Sequence, residues 1–461
     1  MRTYLPSFSC LCFAFAWMVC MTSAVLAQGV SVDLIESLRL AKAHDPQYAA
    51  AQAQRDQSLI KREQMAPLWD AQTQAMVTAG MGGQDVHVTQ ARAMGQNGVG
   101  FDSSISAGAL ARVGVTTQKP ILNPALDVQS QMLDIGARIG DVQWAQAQQD
   151  LRWRVVQRYF DVLSAQQSLE VLQRQSDTLI KAEKEISRRQ TLGDATTMDV
   201  QEAKARVALL SAQILQAQQE VDAHAVSYRQ LTGQAPQALR SVADKRDLLA
   251  VPVQPLPQWL VQAQSQSTQL QLMDMQIALQ EDEAKRIRLA GTSPTLDWVG
   301  QAQFDRLTGY GMNGTATQQM AGYLMGVQWR TPLGTQNLTL AREQEALKQA
   351  DTLRSDKVVV QSQLEAQVTQ TWQSVQSMQA RLQALSQAHT VSQQRLRATR
   401  QAHQVGTRTT LEWLGAEQDA AQAELLWRLM RIQVLVAQAR LAWRSGALGD
   451  SQLQQLNQQL Q

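Results

Sequence analysis

The sequence predicts a mainly α-helical protein with a small β part, built from two structural repeats. Three observations lead to this prediction. Long stretches are rich in Ala, Gln, Leu, Glu and Arg, a composition typical of long packed helices. Four short stretches instead alternate apolar and polar residues, which is typical of strands with one apolar side. Finally, one turn motif occurs at both Gly193 and Gly406, and this repetition indicates a duplication.

Residues 1–27 are predicted to be a cleaved export signal. Arg2 supplies its positive charge, residues 11–19 form its apolar core, and Ala27 ends a small-residue cleavage site. A transmembrane anchor is the alternative, but the apolar run is too short to span a bilayer. All 3 cysteines fall within this segment, so the mature chain has neither a Cys nucleophile nor a thiolate metal site. The small net charge of +2 gives no electrostatic reason to expect a nucleic-acid partner.

The first repeat is predicted over 28–234, in the order helix, two strands, long helix, turn, helix. Pro67 ends the first helix, and Pro120 and Pro124 restart helix after the strands. Two neighbouring apolar stripes on the long helix indicate that it is packed from two sides, as in a ring of helices. The predicted helices are 32–65, 137–190 and 197–231, and the predicted strands, 71–79 and 103–117, flank a Gly-, Asn- and Gln-rich loop at 82–100.

A proline-containing linker, 235–258, precedes the second repeat, which is predicted over 259–446. Apolar positions recur every seven residues along its long helix, from Val368 through Val375 and Leu382 to His389, which is the spacing of a coiled-coil seam. Residues 447–461 are predicted to be a polar C-terminal tail. The helices of this repeat are predicted at 259–290, 339–403 and 410–444, and its strands at 295–305 and 321–329, around a loop at 309–317.

Each copy of the turn motif reads Gly, two residues, Thr-Thr, an apolar residue and an acid. In the first copy, Gly193 is predicted to take the left-handed conformation that ends a helix. Thr196 is predicted to cap the next helix, and Asp199, three residues later, completes a capping box. The second copy repeats these roles with Gly406, Thr409 and Glu412.

One chain has four predicted strands of about ten residues, which are long enough to cross an outer membrane obliquely but too few to close a β-barrel. Three chains would supply about twelve strands and remove every exposed edge. The sequence therefore predicts a homotrimer, in which the helices also close into an α-helical barrel. Aromatic side chains on the apolar strand faces are predicted to form a lipid-facing belt, with ordinary core packing as the alternative. These residues are Trp298, Phe304, Tyr323 and Trp329.

The order of these features resembles that of the TolC family of outer-membrane efflux and secretion channels, over essentially the whole mature sequence. The resemblance implies a homotrimeric tunnel with a β-barrel in the Gram-negative outer membrane and an α-helical barrel extending into the periplasm. It also implies two partners, a periplasmic adaptor (membrane fusion) protein and an inner-membrane pump of the ABC or RND type. The matching stretches are Asp45-Pro46, Leu231-Thr232-Gly233, residues 327–333 and both turns, of which Gly406-Thr407-Arg408-Thr409 is the most specific.

The resemblance also implies functional residues at the helical end of the tunnel. Asp199, Arg408 and Glu412 match positions that close the periplasmic entrance, and His403 stands where the family prototype has a gate tyrosine. Gly415 replaces a further acid, which leaves cation binding at the entrance open. Helix capping alone is the alternative role for the two acids, and hydrogen bonding to helix carbonyls is the alternative for Arg408. The candidate adaptor contacts in the turns are Gly193, Thr196, Gly406 and Thr409.

These features predict a passive exit duct of a tripartite efflux or type I secretion system, gated at its helical tip. A secreted periplasmic coiled-coil adaptor or scaffold without a pore is the alternative. The sequence contains no phosphate-binding loop, nucleophile elbow or zinc signature, so neither an enzyme nor a bound cofactor is expected. Protein, drug and metal cargoes all stay open, although the Gly-Thr-Arg-Thr-Thr turn favours secretion and multidrug ducts by resemblance.

Overall fold

The computed structural model describes residues 32–93, 96–236, 238–243, 254–311, 314–333 and 336–460. The predicted export signal lies outside these ranges, as does most of the predicted linker. The helices in the described ranges are α1 (Leu34–His44), α2 (Pro46–Glu63), α3 (Pro124–Thr191), α4 (Thr197–Thr232), α5 (Leu256–Gln266), α6 (Thr268–Thr292), α7 (Gln336–Gln404), α8 (Thr410–Arg444) and α9 (Asp450–Asn457). The strands are β1 (Gln72–Ala93), β2 (Gln96–Leu122), β3 (Thr295–Gly311) and β4 (Gly314–Arg330).

Two helices, α3 and α7, are far longer than the sheet strands that precede them. They contain 68 and 69 residues, so each spans about 100 Å at a rise of about 1.5 Å per residue. α3 begins at Pro124, and the Asn123 side chain caps it by accepting a hydrogen bond from the Ala125 N–H at 3.2 Å. The predicted restart of helix at Pro120 is wrong, because Pro120 lies within β2. Within the ranges given above, no helix combines the length and the apolar character needed to cross a membrane.

Each repeat begins with two helices where a single helix was predicted. α1 and α2 meet at Asp45, whose carboxylate accepts from the Tyr48 N–H at 3.1 Å and pairs with Arg154 at 2.6 Å. α5 and α6 meet at Ser267, whose hydroxyl accepts from the Leu270 N–H at 3.3 Å. α2 thus begins at Pro46, with Asp45 as its N-cap. The single helices over 32–65 and 259–290 are wrong, because a capping side chain restarts the helix inside each of them.

The four strands form one antiparallel sheet in the order β1-β2-β3-β4, so β2 of the first repeat pairs with β3 of the second. The strands contain 22, 27, 17 and 17 residues, more than the length of about ten that was expected. The loops predicted at 82–100 and 309–317 are wrong, because both stretches continue the strand pairing almost to the hairpin turns. Cross-strand pairing satisfies backbone peptide groups there and outweighs the low strand preference of Gly and Asn.

The main core surrounds the middle of α3, where the two repeats meet. Both apolar stripes predicted on this helix are buried, and Tyr159 and Val156 are 0% exposed. Residues from α1, α4, α7 and α8 complete this core, and α9 adds Leu453 and Leu456 to it. The prediction of a polar tail over 447–461 is therefore wrong, since the leucines among its glutamines give a short helix with a buried side.

The seam predicted on α7 is confirmed at three of its positions. Val368, Val375 and Leu382 are all buried. His389, the next position, stacks on Trp427 of α8 with ring centroids 4.8 Å apart and planes 5° from parallel. His389 is therefore a packing residue of the α7–α8 hairpin.

Candidate functional site

The two glycine turns join α3 to α4 and α7 to α8, and they have the same backbone conformation. Gly193 has φ +87° and Gly406 has φ +79°, in the left-handed region that glycine enters at little cost. In the first turn the Asp194 N–H donates to the Arg189 carbonyl at 2.8 Å, and the second turn has the equivalent bond at 2.9 Å. These bonds satisfy carbonyls at the helix ends in a Schellman closure. The predicted helix ends at both glycines are confirmed.

Both turns continue directly into a capping box. The Asp199 N–H donates to the Thr196 hydroxyl at 3.1 Å, and the Thr196 N–H donates to the Asp199 carboxylate at 3.0 Å. In the second box the Glu412 N–H donates to the Thr409 hydroxyl at 3.2 Å, and the Thr409 N–H donates to the Glu412 carboxylate at 2.8 Å. Each box satisfies two helix-terminal N–H groups, as predicted for these four residues.

A further contact, which was not predicted, joins the two helices of each hairpin across its turn. The Gln190 side-chain amide donates to the Thr197 hydroxyl at 3.1 Å. At the equivalent place, His403 Nε2 and the Thr410 hydroxyl are hydrogen-bonded at 3.0 Å, and the His403 ring also stacks on Trp413 at 5.4 Å. Both pairs are seven residues apart, and the offset between Gly193 and Gly406 relates one pair to the other. That offset is the sequence signal that would have found them.

Arg408 distinguishes the second turn from the first. Its guanidinium lies 2.6 Å from the carboxylate of Glu412, and both side chains are exposed. Its alternative role, bonding to carbonyls of the preceding helix, is therefore wrong. The repeat places Ala195 at the equivalent position in the first turn, where it packs against a buried cluster. The two turns thus share their caps but differ in this charge.

The capping acids have a lowered pKa in both turns. The Thr196 backbone N–H stabilises the charged form of Asp199 and lowers its pKa. For Glu412 the Thr409 backbone N–H is the largest cause of the lowered pKa, and Arg408 lowers it further. Both acids are therefore ionised at neutral pH.

The two turns lie at the same end of the helices. Leu414, near the start of α8, packs in a buried cluster with Ile186 of α3 and Val200 of α4. We call residues 190–199 and 403–413 the hairpin tip. Because α3 starts directly after β2 and spans about 100 Å, the tip lies at the end of the molecule remote from the sheet.

One face of the sheet is apolar and exposed. Trp298 pairs with Val327, Phe304 with Ala321, and Tyr323 with Ala302, so the predicted belt residues share this face. Exposure of the four belt side chains ranges from 37% for Trp298 to 87% for Tyr323, with Trp329 at 61%. The alternative that they are core aromatics is therefore wrong for this chain. We call this side of the sheet the apolar face.

The opposite face of the sheet is polar. Arg112 on β2 pairs with Asp305 on β3 at 2.7 Å, and Gln118 donates to Asp297 at 2.8 Å. No group of three or more His, Cys, Asp or Glu side chains suited to hold a metal ion occurs in the described part of the chain. Asp199 and Glu412 are thus engaged in helix capping, and Asp297 and Asp305 in cross-strand contacts.

The chain was compared with family models, with curated proteins and with solved structures. No family model matches the chain. The outer membrane protein TolC of Vibrio cholerae serotype O1 is 24% identical over 333 residues, which cover 71% of this chain and 69% of that protein.

Among solved structures, the CmeC outer membrane channel of Campylobacter jejuni superposes with a TM-score of 0.70 at 11% identity, covering 93% of this chain and 90% of that one. The outer-membrane channel OprN gives a TM-score of 0.68 at 17% identity, covering 90% of each chain. The outer membrane protein VceC of Vibrio cholerae gives 0.67 at 14% identity, covering 90% of this chain and 96% of that one. The shared fold therefore includes both the helices and the sheet.

Proposed function

We propose that the chain is a TolC-type outer-membrane channel and that it serves as the passive, homotrimeric exit duct of a tripartite efflux or type I secretion system. It is a channel of the Gram-negative outer membrane that extends into the periplasm, and not an enzyme. The observation that carries the proposal is the separation of two features. An exposed apolar sheet face lies at one end of the chain, and a twice-repeated capped tip lies at the other.

Trimerisation is supported by the edges of the sheet. β1 and β4 are the outer strands of a four-stranded sheet, so each has one row of backbone groups without a strand partner in the described chain. Pairing β4 of one copy with β1 of the next would close twelve strands and remove all edges. The same threefold arrangement would join three pairs of helical hairpins into an α-helical barrel. The apolar face would then meet lipid, with the belt residues Trp298, Phe304, Tyr323 and Trp329 on it.

The gate belongs at the hairpin tip. Arg408 and Glu412 are exposed charged groups at the hairpin tip and Asp199 is half-buried there, so that a neighbouring copy or a partner can reach them. Opening would separate contacts made by these residues and by His403. A periplasmic adaptor would meet the turns at Gly193, Thr196, Gly406 and Thr409, and an ABC- or RND-type inner-membrane pump would supply the energy. The cargo stays open among proteins, drugs and metals.

Planar-bilayer conductance of the detergent-purified trimer tests this function. The wild type is expected to show a small conductance, and Arg408→Ala to raise it severalfold, because the tip loses a fixed cation. Arg138→Ala is the matched control, since Arg138 also pairs four residues away along a helix, with Asp134 at 3.2 Å, and is exposed to a similar degree. It lies near the sheet end of α3 and is expected to conduct like the wild type.

The outcomes separate the parts of the proposal. Equal conductance of wild type and Arg408→Ala would remove Arg408 from the gate but keep the duct. No pore in either protein, despite confirmed trimers, would favour the coiled-coil adaptor. Membrane fractionation gives an independent answer, because an adaptor extracts without detergent whereas an outer-membrane trimer requires it.

A further inference from the structure

The apolar face of the sheet carries two cations, one towards each end of the strands. Reading across the strands, one row contains Lys119, Trp298 and Val327. Another row, nearer the hairpin turns, contains Ala111, Arg306 and Gln319. Trp298 and Arg306 are eight residues apart on β3, so the two rows are separated by about 26 Å along the strand.

No charged side chain lies on the apolar face between these two rows, in the part of the sheet that the structure describes. Three rows fill the interval, and they contain Thr73, Thr117, Gly300 and Met325; Ala75, Val115, Ala302 and Tyr323; and Val77, Val113, Phe304 and Ala321. Beyond Arg306 the next row is mixed, because Met81 and Ala109 stand beside Thr308 and Thr317, whose hydroxyls lie 3.2 Å apart. Beyond Lys119 the next row, of Leu122, Leu296 and Trp329, is again apolar. The cations therefore flank an apolar band of three uncharged rows in the middle of the apolar face.

Within the described part of the chain, neither cation has an ion-pair partner. Lys119 and Arg306 are exposed, and no carboxylate among the described residues lies within ion-pair distance of either. Arg112 gives the contrast, because this arginine of the same sheet points to the polar face and pairs with Asp305 at 2.7 Å. The sheet thus provides an acid for the arginine on its polar face but not for the cations on its apolar face.

A cation on a lipid-facing strand is costly at the middle of the bilayer, whereas near the interfaces the cost almost disappears. There the long Lys or Arg stem covers apolar surface while its charge reaches the headgroups. The apolar stem of Lys119 has Trp298 beside it in the same row, and the Trp298 ring leans towards the band, coming within 3.1 Å of where a Gly300 Cβ would stand. Aromatic rings of this kind are enriched at membrane interfaces.

We infer that Lys119 and Arg306 are binding sites for the phosphate groups of anionic lipids, one in each leaflet, and that together they fix the depth of the sheet in the membrane. This inference rests on the proposed function, because it requires the apolar face to meet lipid. Since α3 and α7 extend into the periplasm, Lys119 faces the periplasmic leaflet and Arg306 the outer one. The occupant is a lipid headgroup, because the two cations flank uncharged rows of an exposed apolar face.

The test measures phosphatidylglycerol binding to the purified full-length protein by native mass spectrometry. Lys119→Gln and Arg306→Gln are each expected to weaken binding about fivefold, which corresponds to about 1 kcal/mol per cation near an anionic surface. Lys119→Arg should bind like the wild type. Lys204→Gln is the matched control, because Lys204 is also exposed and lacks an ion pair among the described residues, but lies on α4.

Vesicle flotation of the same proteins separates this inference from the proposed function. Wild type that floats with vesicles, together with unchanged phosphatidylglycerol binding in Lys119→Gln and Arg306→Gln, would overturn the lipid sites and leave the membrane channel intact. Wild type that does not float would overturn both. Loss of binding in the two Gln variants, with Lys119→Arg and Lys204→Gln unchanged, is the result that we expect.

Discussion

The two halves of the hairpin tip are built alike but carry different charges. Both have a left-handed glycine, a reciprocal capping box and a side-chain bond across the turn. The first half has Ala195 where the second has Arg408, and Gln190 where the second has His403. Ala195 packs against the cluster around Val200, whereas Arg408 is exposed. The two turns therefore share their backbone conformation and their caps. Their side chains differ at the position that is packed against a cluster in the first turn and exposed to solvent in the second.

The largest expected effect comes from replacing the shared glycines. Gly193→Ala and Gly406→Ala each place a Cβ in the left-handed region, which costs about 1–2 kcal/mol. No atom lies within 4 Å of either added Cβ, so backbone strain is the sole cost and should be equal in both turns. Hydrogen exchange of the tip amides should accelerate roughly tenfold in each variant.

Gly415→Ala is the control for these two substitutions. Gly415 lies inside α8 with open space around it, so alanine should stabilise the helix by up to about 1 kcal/mol. A large effect at Gly193 with none at Gly406 would show that the two turns are not equivalent.

A smaller effect is expected from removing the caps. Thr196→Ala and Thr409→Ala should each destabilise the local helix start by about 1 kcal/mol, because a helix-terminal N–H loses its acceptor. Exchange of the first-turn amides of α4 and α8 should rise about fivefold. Thr→Ser at the same positions keeps the hydroxyl and should change little. If Thr409→Ala left the exchange of the first-turn amides of α8 unchanged, the capping box would have no energetic role in the second turn.

The smallest effect distinguishes the two turns by pH. Because the pKa of both acids is lowered in the folded protein, their stabilisation is fully present above the ordinary values, 3.8 for Asp199 and 4.5 for Glu412, and is lost as the pH falls through the lowered ones. Arg408→Ala should raise the pKa of Glu412 and leave that of Asp199 unchanged. Exchange measured against pH should then show earlier loss of protection in the second turn alone. A matching shift in the first turn would contradict this assignment.

The tip was predictable because its chemistry is local. A glycine, a threonine three residues later and an acid three residues after that determine each turn without help from the rest of the chain. The cross-turn bonds at Gln190 and His403 were missed, although the repeat relates them. The stacking of His403 on Trp413 required the packing of α7 against α8, which spacing alone does not reveal.

The sheet was less predictable because its pairing is not local. By residue propensity, the glycines and Asn97 between 82 and 100 favour a loop. Pairing with a neighbouring strand is what stabilises the extended conformation there. The helix α9 was missed for the same reason. Leu453 and Leu456 are buried only because they pack against the core around α3, which is distant in sequence. The apolar face itself was predicted correctly, because apolar and polar residues alternate along the sequence of the strands.

The pairing of β2 with β3 has a consequence for how the chain assembles. Arg112 and Asp305, which meet across this seam, are 193 residues apart in sequence. Such distant contacts close large loops and slow folding, because the chain must lose most of its freedom before they form. During export the N-terminal half emerges first, and β2 has no partner on that side until β3 has followed. The sheet therefore forms late, after nearly three quarters of the chain has crossed, and a polypeptide that stalls before β3 leaves β2 as an exposed, aggregation-prone edge.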